Sequence, residues 1–237
     1  MDVPALVTEP PAFVVLMPLP SDIDPAFPAE LVRTAARLNA DPLDLANILF
    51  VESNGIHAGI VNAGGCVGIN QFCPVNQNAR MLPGWPGLAA YRALPASVQL
   101  RDFVAPWWER IAALHGLSSL TGRDLYWLNF TPAWFVPNAP ASHVITRDPS
   151  IVRDNPRLSL GKGYIAVSDI DRVLAEGRQG ARWDQIAAAV REAEVSGGWA
   201  GPETATHSSA AGVTAPALLA VGAAGWFAWW AAKRWMG

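Results

Sequence analysis

Apolar residues recur at helical spacing in several separate stretches of this chain. Leu31, Val32 and Ala35 share one face of a first helix expected over residues 29–38. Asp41 is a natural N-cap and Pro42 suits the first helical position, where its missing N–H costs nothing. Leu45, Ile48 and Leu49 then give the second helix a core-facing side, and Asn54-Gly55 stops it. A further helix is expected to begin near Pro74. Residues 83–95 carry Pro83, Gly84, Pro86, Gly87 and Pro95 and should be rich in loops. Leu100, Phe103, Val104, Trp107, Trp108, Ile111 and Leu114 again recur at helical spacing, with Pro106 as a kink or the opening of a new helix. Thr121 and Asp124 resemble a capping arrangement for a helix carrying Tyr126. Residues 131–160 lack sustained periodicity. Ser168 and Asp171 are expected to cap one more helix, and another runs from about Trp183 with Ile186, Ala187 and Val190 along one side.

The punctuation divides the chain. Residues 1–26 read as an apolar, Pro-rich arm that packs on the domain or on a partner, and 27–195 as one folded domain. Residues 196–212 have the composition of a flexible linker. Val213 to Ala232 contains no charged residue, and twenty helical residues match the ~30 Å of bilayer hydrocarbon. Trp226, Trp229 and Trp230 near its end, and Lys233-Arg234 just after it, fit an interfacial belt and a cytoplasmic flank. A transmembrane helix over 213–232 with a basic tail over 233–237 is therefore expected; the competing reading is an Ala/Trp helix docked on a protein partner. The start of the chain lacks a basic n-region and Pro18 breaks its apolar run, so no N-terminal signal peptide is expected.

Composition narrows the chemistry. Only 16% of the 237 residues are charged and the net charge is −3, which argues against a nucleic-acid-binding surface. The four histidines are scattered, and no zinc pattern emerges. Pairing of Cys66 with Cys73 is geometrically possible, but two small buried thiols are the expected state. Gly163-Tyr-Ile165-Ala-Val-Ser-Asp169 ends like a calcium-binding loop. The earlier ligand positions, however, fall on Leu158, Leu160 and Lys162, which offer no side-chain oxygen, so a metal-free turn is expected. No cofactor and no metal is expected anywhere in the chain.

Glu52 is the residue with chemistry to offer. In the last turn of its helix it meets the negative end of the helix dipole, which disfavours an ionised carboxylate. Partial burial beside Phe50 and Phe72 would also push its pKa up. A carboxyl kept protonated near neutral pH is what a general acid needs to protonate a leaving oxygen, as in glycoside cleavage.

Glu52-Ser53, followed by Gly65-Cys66-Val67-Gly68-Ile69-Asn70-Gln71-Phe72, resembles the paired motifs of soluble lytic transglycosylases and goose-type lysozymes. There a Glu-Ser pair precedes Gly-Ala-x-Gly-Leu-Met-Gln and a hydrophobic residue; here Cys66, Ile69 and Asn70 replace the Ala, Leu and Met. Residues 118–134, with Asp124-Leu-Tyr126 running toward Pro132-Ala, and the preceding Gln99 to Trp107 resemble virion-associated phage members. The similarity extends over about residues 28–175. The family's third motif, an Asn-Tyr or Tyr-Asn followed by small residues, is not present in that form. Tyr126 and Asn129, one helical turn apart on one face, stand in its place.

The resemblance implies a mainly α, lysozyme-like fold and an enzyme that cuts the β-1,4 bond between N-acetylmuramic acid and N-acetylglucosamine in peptidoglycan. Glu52 would protonate the glycosidic oxygen and then act as base on the muramic C6 hydroxyl, leaving a 1,6-anhydro product. That route needs one carboxylate, whereas ordinary glycosidases need two. Asp102, Glu109 and Asp124 are the candidates for a second, and each reads more readily as a surface or capping group. Ser53 would orient Glu52 or touch substrate, while Gln71, Phe72, Tyr126 and Asn129 would bind it. Trp107, Trp108 and Trp127 are core residues by burial habit, with stacking on sugar as the alternative role. The implied setting is a phage virion or a membrane, with glycan strands and other virion proteins as partners and local opening of the wall during genome entry as the task. Competing readings are a catalytically inactive lysozyme-fold component of a virion and a true muramidase using water.

Overall fold

A computed structural model describes residues 17–74 and 82–197 of the chain. The expected membrane span over 213–232, the basic tail, residues 198–212 of the linker, residues 1–16 of the arm and the run 75–81 after Pro74 lie outside the described residues. Among those described, no helix is long and apolar enough to cross a membrane.

The architecture is mainly helical, as the periodicity predicts. Phe27–Leu38 (α1) and Pro42–Glu52 (α2) come first. Two single-turn helices come next, Leu88–Tyr91 (α3) and Ala96–Gln99 (α4), and α4 runs through a π-helical turn at Leu100–Val104 into Ala105–Leu114 (α5). Gly122–Phe130 (α6) leads into a short 3-10 turn at Pro132–Trp134. Val144–Thr146 (β1) pairs antiparallel with Ile165–Ala166 (β2), with a bulge between Val144 and Thr146. Between the two strands lie the short helices Pro149–Asp154 (α7) and Pro156–Ser159 (α8). Val167–Gly177 (α9) and Ala181–Ser196 (α10) complete the described chain.

Helix α2 is the axis on which the rest packs: α1, α6, α9 and α10 all lie against it. Its start obeys the sequence logic, with the Asp41 side chain accepting from Leu43 N at 2.7 Å. Leu45, Ile48 and Leu49 are fully buried. Side chains of this size each contribute about 1.5–3 kcal/mol when withdrawn from water, so this helix anchors the core. Gly177 lets the end of α9 lie against it, because a Cβ there would come within 2.5 Å of both Asn47 Oδ1 and Val51 Cγ2. Thr121 and Asp124 form the expected capping box on α6.

Pro106 lies in the first turn of α5 and so opens a new helix, one of the two roles expected of it, and the break before α5 is a π-helical turn at Leu100–Val104. Two expectations are corrected. Leu114, the last residue of α5, is exposed, because the chain turns away through Gly116 at φ +66°. The capping carboxylate of α9 is Asp169, which accepts from Ala166 N at 2.9 Å, while Asp171 pairs instead with Arg123 at 2.7 and 2.8 Å. The end of the arm packs on the domain, one of the two expected alternatives: Ile23 is buried in the core, and Asp24 accepts from Ser97 N at 2.8 Å.

Candidate active site

Helix α2 ends at Glu52 and gives way to a tight, heavily fixed turn. Ser53 N donates to Leu49 O at 3.0 Å. The Ser53 hydroxyl donates to Leu49 O at 2.6 Å and accepts from His57 N at 3.2 Å. Asn54, Gly55 and Ile56 then take φ values of 53°, 115° and 62°. A β-branched residue in the left-handed region is strained by roughly 1–3 kcal/mol and persists only where its surroundings force it. Ile56 is fully buried, which supplies that constraint. From α10, Arg182 Nε donates to Gly55 O at 2.7 Å while its guanidinium grips Asp22 at 2.9 and 2.8 Å. A Cβ at Gly55 would lie 2.6 Å from Arg182 Nε, so glycine is needed both for its φ and for this approach.

Glu52 as a residue keeps some solvent contact, yet protein atoms crowd its carboxyl. Burial pushes its pKa up to about 7, against opposing effects from a hydrogen bond with Asn129 and from the positive charge of Arg157. Tyr126 lies in the same field. Burial pushes its phenol well above the ordinary tyrosine range, and the Glu52 carboxylate adds to the shift. The two aromatic residues expected beside Glu52 pack against other rings. Phe50 stands edge-on to Trp183, since side chains two residues apart on a helix point to nearly opposite sides. Phe72 is 2% exposed and packs edge-on against Trp85 and Tyr91.

The Gly-rich stretch forms a closed loop. Cys66 and Cys73 are joined by a disulfide, which corrects the expectation of two free thiols. Inside that ring the chain doubles back on itself, with Val67 and Phe72 exchanging backbone hydrogen bonds at 2.9 and 3.0 Å. At Gly68, φ +77°, a Cβ would meet the Tyr91 ring at 2.3 Å and Gln99 Oε1 at 2.5 Å. Gln99 is fully buried and holds this region together. Its Oε1 accepts from Ile69 N at 3.0 Å, and its Nε2 donates to the carbonyls of Ala58, Tyr91 and Leu94 at 2.9, 3.1 and 3.0 Å. Asn70, at the tip, is buried and sends Nδ2 to Asn129 Oδ1 at 2.9 Å.

The residues singled out on sequence therefore separate. Glu52, Tyr126 and Asn129 come together. Ser53 is fully buried with both hydroxyl roles spent, so it orients the helix end and offers no contact to a ligand. Gln71, half-buried at φ 50°, donates from Nε2 to Gly68 O at 2.9 Å and braces its own loop. Phe72 is a core residue rather than a stacking surface, as are Trp107, Trp108 and Trp127 at 7%, 1% and 1% exposure. The carboxylates considered as partners for Glu52 are engaged elsewhere: Asp102 with Arg101, Glu109 with Arg37, and Asp124 in the α6 cap. Sequence reasoning missed Asn70, Gln99 and Arg157. Asn70 did carry a signal, because it is a polar residue where the resembling motif has Met.

Comparison with protein-family models, with curated proteins and with solved structures gives no match. What the geometry offers is a carboxyl that titrates near neutrality at a helix C-terminus, hydrogen-bonded to one amide and lying in the field of one guanidinium.

Proposed function

We propose that this chain is a peptidoglycan-cleaving lytic transglycosylase with Glu52 as its general acid and base. The observation that carries the reading is the balance at Glu52. Crowding favours the neutral acid, which can protonate a glycosidic oxygen; Asn129 and Arg157 favour the anion left after the transfer. With a pKa of about 7 both states lie within thermal reach in one catalytic cycle. The anion then takes the proton of the muramic C6 hydroxyl as its oxygen closes on C1, and the 1,6-anhydro ring forms without water. A lone carboxyl suits this route, while hydrolysis asks for a second group to position water. The tether is proposed from the uncharged run 213–232, and the virion setting from the resemblance of residues 99–134 to phage proteins.

The test is mass spectrometry of muropeptides released from purified sacculi by the full chain in mild detergent, beside Glu52→Gln. Anhydro-muropeptides from the wild type that vanish in the variant support the proposal. Reducing-end products lost in the variant would keep Glu52 but make the enzyme a muramidase. A folded wild type that releases nothing from several wall types would favour a structural virion component.

A further inference from the structure

An asparagine amide beside a carboxyl can present either its NH2 or its oxygen, and the two choices have opposite consequences. The NH2 stabilises a carboxylate, whereas the oxygen repels it and prefers the protonated acid. At Asn129 the choice is settled from the other side. Asn70 Nδ2 donates to Asn129 Oδ1 at 2.9 Å, which engages that oxygen and leaves the NH2 for Glu52.

We infer that Asn70 is a positioning residue, acting through Asn129 to fix which face of that amide meets Glu52. Resting on the catalytic reading of Glu52 for its functional meaning, this would make the tip of the disulfide-closed loop part of the acid's machinery. Asn70 is 3% exposed, and its own Oδ1 has no hydrogen-bond partner among the described residues. A buried, unpartnered amide oxygen is unfavourable, and an apolar side chain of similar size would avoid it. Among the described residues, the one polar contact of the Asn70 side chain is the donation to Asn129, so that donation is what the amide contributes. The placement is also held firmly. The Cys66–Cys73 disulfide closes the loop, and Gln99 Oε1 accepts from the neighbouring Ile69 N at 3.0 Å.

Other charges around α2 do not confuse the test. Tyr126 from α6 and Arg157 from α8 are the titratable groups in electrostatic contact with Glu52. Several charged groups on the helices packed against α2 have partners of their own. On α1, Glu30 pairs with Arg33; on α9, Asp169 and Asp171 pair with Lys162 and Arg123; on α10, Arg182 pairs with Asp22.

The experiment tracks the Glu52 carboxyl by carbon NMR in the 13C-glutamate-labelled full chain, with its signal assigned by its loss in Glu52→Gln. Asn70→Leu should move the Glu52 midpoint upward by about one pH unit, the size expected for losing one hydrogen bond to a charged group. Asn70→Asp, nearly isosteric but able only to accept when ionised, should move it further. Asn70→Leu on top of Asn129→Leu should add nothing, because the path runs through Asn129. An unmoved midpoint in both Asn70 variants, or shifts that add to that of Asn129→Leu, would overturn the inference. The titration needs no substrate, so it decides the Asn70 question even if no wall is cleaved. If the wild type does cleave, the alkaline limb of its pH profile must move by the same amount in Asn70→Leu.

Discussion

Glu52 and Asp169 are both carboxylates at helix termini, and both drew attention on sequence, yet the fold treats them in opposite ways. Asp169, 4% exposed, sits at the N-terminal end of α9, where the helix dipole favours a negative charge. One of its oxygens accepts from Ala166 N at 2.9 Å and the other from the Lys162 ammonium at 2.5 Å. Lys162 occupies a ligand position of the calcium-like loop register, so a fixed ammonium supplies the positive charge there. Glu52 sits at the wrong end of α2 for an anion, with one amide and the field of one guanidinium to offset its burial. Burial by itself thus makes neither carboxylate reactive. The difference lies in how fully each charge is compensated, and the under-compensated one is the candidate acid.

The largest effect that would break this contrast is on activity. Glu52→Gln should lower glycan cleavage by roughly 10²–10⁴-fold, the usual range for a lost general acid, read as the rate of muropeptide release. The same change should act on stability in the opposite direction. A carboxyl raised from 4.5 to about 7 in the folded chain binds its proton more tightly folded than unfolded. Its contribution is therefore present below pH 4.5 and is lost as pH rises through 7, a loss of about 3 kcal/mol at most. Urea unfolding should show Glu52→Gln gaining on the wild type between about pH 5 and 8, with little difference at about pH 4. Asp169→Ala should do the reverse at neutral pH, destabilising by about 2 kcal/mol through the lost cap and ion pair. Cys73→Ser should cost a similar amount, about 2–3 kcal/mol, and should loosen the loop that carries Asn70. The smallest expected effect sharpens the site. Tyr126→Phe should reduce cleavage by roughly tenfold, as for one lost hydrogen bond near the acid, with thermal stability little changed.

Much of the frame was legible because it depends on local rules. Asp41 with Pro42, the Leu45/Ile48/Leu49 face and the Thr121–Asp124 box are all decided within a few residues, and the structure reproduces them. The position of Glu52 at a helix end, with a raised pKa, came from the same reasoning. What escaped was set by distant contacts. Arg157, whose charge acts on Glu52, lies on a four-residue helix that no periodicity announces. Gln99 ties together positions 58, 69, 91 and 94, a role visible only once those segments meet. Ser53 looked available because it comes directly after Glu52, but the end of the helix turns its hydroxyl back on Leu49. Phe72 and the tryptophans went to the core because a small domain has few better uses for such large apolar surfaces.

Whether Glu52 works as an acid with a pKa near 7 is tested most directly by the pH dependence of cleavage. Release of anhydro-muropeptides from sacculi by the full chain, measured from about pH 5 to 9, should fall through about 7 as Glu52 loses its proton, and should be absent throughout in Glu52→Gln. A rate that climbs above about pH 8, or the same products from Glu52→Gln, would contradict it.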